Sequence, residues 1–148
     1  MEDFTQGRLL EAADAVAFMQ AGNATLTLVS KPTGSRYTYH IRSKPDRSGR
    51  PAIWFVRVMF GPDNETDFAY LGFIKPNQIY HWAYGKTPIK EDDKRNRAFA
   101  WAWRALAAGR MPDDLEIWHE GRCGRCGRKL TVPESIARGI GPECAAHL

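Results

Sequence analysis

The sequence predicts an α+β fold: a four-stranded antiparallel sheet packed with two helices, followed by a small C-terminal cysteine module. Three observations predict it. Stretches between residues 24 and 74 place apolar residues at the two-residue period of half-buried strands. Short segments rich in Gly, Pro and Asn separate them, as antiparallel turns require. Two flanking stretches carry the longer period of amphipathic helices.

Between Leu9 and Gln20, Leu10, Ala13, Val16 and Ala17 recur at helical spacing, and AGN at 21–23 supplies a stop. ATLTLVS at 24–30 alternates, with Leu26 and Leu28 on one face and Thr25, Thr27 and Val29 on the other. After the KPTG turn, SRYTYHIR sets Tyr37, Tyr39 and Ile41 against Arg36, Thr38, His40 and Arg42, so this strand has one apolar and one basic face. SKPDRSGRP at 43–51 has loop composition. IWFVRVMF at 53–60 predicts a central strand that turns Trp54, Val56, Val58 and Phe60 to the core. DFAYLGFI at 67–74 predicts the fourth strand of an antiparallel meander.

The aromatic stretch IYHWAYGK follows no period and reads as a cap on the core. Glu91, Asp92 and Asp93 precede KRNRAFAWAWRALAAG, and acids suit the positive end of a helix. There Phe99, Trp103 and Leu106 fall at i, i+4 and i+7. LEIWHEG then leads into the cysteines, which divides the chain into an α+β domain over residues 1–118 and a module over 119–148.

Hydrophobic residues make up 43% of the chain and charged residues 26%, enough apolar material for a packed core. No window of about 18 apolar residues occurs, and MEDFTQGRLL has acids where a secretory leader would have basic residues. A soluble cytoplasmic protein without membrane contact is expected. The formal net charge of +4 is modest but concentrated: residues 36–57 hold Arg36, Arg42, Lys44, Arg47, Arg50 and Arg57 against Asp46.

All three cysteines lie in the last 26 residues, in the pattern C-x2-C-x17-C-x2-H formed by Cys123, Cys126, Cys144 and His147. Two ligands separated by two residues can converge on one ion from a tight turn, so CGRC and ECAAH form matched half-sites for one tetrahedral zinc ion. His147 is the preferred fourth ligand; His119, four residues before Cys123, competes with it. A redox reading of CGRC would call for a βαβ unit before it, and none is predicted. Four protein ligands close the site, so the zinc is expected to be structural. Pro133 and Glu134 open a short helix and Gly139 and Gly141 a return turn, in keeping with a treble-clef or ribbon-like knuckle.

The segment CGRCGRKLTVPESIARGIGPEC resembles an uncharacterised family of C-terminal modules found in phage and prophage proteins, with the pattern CGRCGRxLTxPxSIxxGxGPxC. The resemblance implies Cys123, Cys126 and Cys144 as metal ligands, Leu130 and Ile136 as a small core, and Gly139, Gly141 and Pro142 as the turn. It leaves the fourth ligand open and implies no activity. GNATLTLVSKPTGSRYTYHIR, WFVRVMF and GPDN are more weakly similar to the partner domain of such proteins.

No Ser, His and Asp constellation, HExxH, Walker loop or GxGxxG occurs, and neither HEGRC nor GPEC has the deaminase spacing. The expectation is a non-enzymatic accessory protein of phage type. Arg122, Arg125, Arg128, Lys129 and Arg138 decorate the cysteine segment, and Arg36, His40, Arg42, Arg47 and Arg50 form a second basic patch on the strand face and adjoining loop. Both suit phosphate contacts, so DNA or RNA is the expected partner. The alternative is a protein-binding inhibitor or adaptor that docks on a host or phage protein.

Overall fold

The computed structural model describes residues 7–61, 67–130, 133–141 and 144. In chain order the elements are β1 (Arg8–Leu9), α1 (Ala12–Met19), β2 (Asn23–Ser30), β3 (Arg36–Pro45), β4 (Pro51–Met59), β5 (Phe68–Ile74), β6 (Tyr80–Trp82), α2 (Lys94–Ala107), β7 (Leu115–His119) and α3 (Pro133–Arg138). The strands form one seven-stranded antiparallel sheet in the order β1-β7-β2-β3-β4-β5-β6. No described helix is long and apolar enough to cross a membrane.

Among the described residues the sheet therefore has seven strands where four were expected, while the three helices match the two expected in the α+β domain and the short one that Pro133 and Glu134 open in the module. β1, β6 and β7 are two, three and five residues long, too short for a period to stand out. β6 arises inside the aromatic stretch read as irregular, and β7 inside the segment read as a bridge. β7 returns to pair with β2 and places Leu115, Ile117 and His119 in the interior. β3 also runs to Pro45, into the segment read as loop.

The first helix begins three residues later than expected and buries another stripe. Ala12, Ala15, Phe18 and Met19 face inward, while Leu10 is 57% exposed and Ala13 and Ala17 lie in solvent. Phe18 and Met19 are larger than the alanines of the expected stripe, and their burial sets the rotation. Phe60, expected in the core, is 54% exposed because β4 ends at Met59. The second helix meets expectation: Asp93 caps it by accepting from Arg95 N at 2.8 Å, and Phe99, Trp103 and Leu106 are buried.

The helices cover one sheet face. Leu26, Leu28, Tyr39, Ile41, Val56, Val58, Leu71 and Ile117 form its apolar layer. Tyr39 donates its hydroxyl to Arg95 O and Trp103 its indole N–H to Gln78 O, so the large buried rings keep polar partners. Cys123, Leu130, Ile140 and Cys144 belong to the same continuous buried cluster as Leu9 and Phe18. The opposite sheet face carries the basic residues.

Candidate metal centre

β7 continues directly into the cysteine segment. Arg122 bridges Lys129 in a tight hairpin, in which Cys123 N–H donates to Arg128 O at 2.8 Å and Gly127 N–H to Cys123 O at 2.9 Å. Gly127 turns the hairpin at φ 78°, a left-handed conformation that favours glycine. α3 follows, and Gly139 at φ 73° reverses the chain. The reversal brings Cys144 back, and the sulfur atoms of Cys123, Cys126 and Cys144 all lie within 4.8 Å of one another.

This donor set suits a thiophilic ion. Zinc–sulfur bonds of about 2.3 Å in a tetrahedron hold sulfurs roughly 3.8 Å apart, inside the 4.8 Å within which the three sulfurs lie. The backbone already favours thiolate: Arg125 N–H points at the Cys123 sulfur at 3.4 Å and Gly141 N–H at 3.3 Å. Burial pushes the Cys123 thiol up, but backbone donors at Cys126, Gly141 and Arg125 outweigh it and lower the group to about 7. Burial and the neighbouring cysteines raise Cys144 to about 11, while the Arg125 side chain works the other way. A cation at the centre would remove the conflict among these sulfurs. Cys123 and Cys144 are buried and Cys126 is exposed.

His119 is turned away from this role. Its Nδ1 accepts from Gly121 N at 2.9 Å, and its Nε2–H donates to Ile136 O. Both ring nitrogens thus hold backbone, and the ring packs 5.6 Å from that of Phe18. His147 lies outside the described residues.

The knuckle is seated on α1 and on the start of β2. Asn23 N–H donates to Gly124 O at 2.7 Å, and Gly124 N–H to Gly139 O at 2.8 Å. A Cβ on Gly124 would meet the Phe18 ring at 2.7 Å, so glycine allows the backbone to lie against it. The sequence marks Asn23 only as part of a helix stop. In the fold its side chain lies 3.6 Å from a Cβ placed on Gly127, while its Oδ1 shares a hydrogen bond with His40 Nε2 at 2.6 Å.

That contact joins the two basic patches. Arg42 lies opposite Asn23 across β2 and β3, and Arg47 and Arg50 lie on the loop that Asp46 organises by accepting from Ser48 and Arg50. Arg36 sits at the far end of β3 from the knuckle. Arg122, Arg125, Arg128, Lys129 and Arg138 are all exposed. Arg122 also donates to Gly127 O at 3.3 Å, which braces the hairpin.

Residues 115–148 match the profile of a family of unknown function (DUF6011). The matched stretch starts at the first residue of β7, so the family unit takes in the strand that carries the knuckle. No curated protein and no solved structure matches the chain.

Two imidazoles, the half-buried His40 and the buried His119, give folding a pH dependence. Burial, followed by the charges of Arg57 and Arg42, holds His40 below its ordinary 6.5. Burial also lowers His119, against the hydrogen bond to Ile136. Below 6.5 the unfolded chain takes up protons that the folded chain resists, so stability is complete above that value and declines as pH falls through it. Urea midpoints should drop between about pH 7 and pH 5, and His40→Gln should flatten part of the slope. An unchanged slope in that variant would contradict the assignment.

Proposed function

We propose that the chain is a non-enzymatic accessory protein of phage type that binds nucleic acid through its basic surface. In this reading one structural zinc ion, held by Cys123, Cys126, Cys144 and His147, fixes the knuckle. The thiol cluster supports a metal, and the commitment of both His119 nitrogens to backbone favours His147 over it. A closed site of this kind stabilises the hairpin and leaves catalysis no open position. The resemblance of the cysteine pattern to phage modules supports the phage origin, and free thiols suit a reducing cytoplasm.

One observation carries the binding function: the knuckle turn abuts Asn23, which is bonded to His40 beside Arg42, so the two cationic patches border each other. Cations on a rigid frame neutralise phosphates and release counterions. Arg125 also serves the thiols, so the direct test uses Arg128 and Lys129. The double variant Arg128→Ala with Lys129→Ala should retain its metal, weaken nucleic-acid binding about tenfold and reduce the salt slope by about 2. Unchanged affinity would remove the knuckle from the binding surface.

A protein-docking reading draws on Trp101, half exposed beside a cavity of about 290 Å³ that Leu28, Tyr37, Ala98 and Asp114 also line. That cavity lies at the opposite end of β2 from the knuckle, so the two would not form one docking site. Binding there would depend on Trp101 and respond weakly to salt.

A further inference from the structure

The face of the sheet away from the helices carries a row that the chain order conceals. Register places Asn23, Arg42, Phe55, Phe73 and His81 side by side across β2, β3, β4, β5 and β6. One step along the strands lies a second row, Thr25, His40, Arg57 and Tyr70. The rings meet in two pairs: Phe55 meets Tyr70 edge-on at 6.0 Å, and Phe73 stacks on His81 at 5.2 Å with 18° between planes. Phe55, Tyr70, Phe73 and His81 are all half-buried, although α1 and α2 cover the other face.

We infer that this face is a stacking platform for single-stranded nucleic acid, running from the knuckle along the row that starts at Asn23. The inference rests on the nucleic-acid reading and adds to it the form of ligand and the residues that select it. Charge argues for this occupant: the strand residues on this face include Arg8, Arg36, Arg42, Lys44 and Arg57 against Glu116, which accepts from the Trp118 indole. A hydrophobic protein partner would meet a surface crowded with guanidinium groups, whereas a polyanion with exposed rings is matched by both cations and aromatics. Four inter-strand steps of about 4.8 Å make the row roughly 19 Å long. A duplex hides its base faces, so only an unpaired strand can use the rings.

The test compares labelled single-stranded oligonucleotides with the corresponding duplex, using the metal-loaded full chain and its Tyr70→Leu, Tyr70→Phe and Phe55→Leu variants. Thermal midpoints establish that each variant is folded. The platform predicts tighter single-strand binding, a loss of about tenfold in Tyr70→Leu and Phe55→Leu, retention in Tyr70→Phe, and little change toward duplex. Salt-sensitive binding that is equal for both forms and indifferent to Tyr70→Leu would overturn the platform and leave the nucleic-acid reading standing. Absence of binding to either form at low salt would overturn both.

Discussion

Cys123→Ser is expected to release the metal and to destabilise the whole chain, not the knuckle alone. The knuckle shares a continuous buried cluster with Leu9 and Phe18, and the Asn23 N–H ties it to β2 through Gly124 O. Structural zinc sites contribute folding energy outright, about 10–16 kcal/mol in zinc-finger peptides. Even about 3 kcal/mol felt by the rest of the fold would lower the thermal midpoint by about 6–12 °C. Calorimetry with and without a chelator measures it. A main transition that ignores the chelator would make the knuckle an independent appendage. In native mass spectrometry His147→Ala should lose the metal, whereas His119→Ala should keep it, because the His119 nitrogens hold backbone.

Phe18→Ala should destabilise by about 3–5 kcal/mol, the range for deleting a buried aromatic ring. Phe18 is 1% exposed and lies where α1, His119 and the glycines of the knuckle meet. Gly139→Ala should cost about 1–3 kcal/mol, since its Cβ would run into the Phe18 ring and its φ of 73° suits glycine. With the ring removed the added methyl has room. The double variant should therefore be more stable than the sum of the two losses predicts, by denaturant titration. Strict additivity would mean that these residues do not touch.

The helix-covered side of β2, β3 and β4 was legible because their alternation is clean: Leu26, Leu28, Tyr39, Ile41, Val56 and Val58 are all buried as expected. β5 was harder. Register slips between Val56 and Arg57, so Leu71 and Gly72 both turn inward and the alternation of FAYLGFI breaks. Simple counting puts Tyr70 and Phe73 on opposite faces, and the bulge puts them on one. That break hid the aromatic row. Asn23 was obscured differently, because a residue at a helix stop gives no hint that it will meet a hairpin a hundred residues away. The three thiols were legible from spacing alone, since two closely spaced pairs confine the geometry whatever lies between them.

Fluorescence anisotropy of the metal-loaded chain with single-stranded and duplex DNA and RNA over a salt series measures whether the cationic surface binds nucleic acid. Binding should favour the single strand and weaken steeply with salt, in proportion to the phosphates contacted. No binding at low salt, or affinity that does not respond to salt, would contradict the nucleic-acid reading.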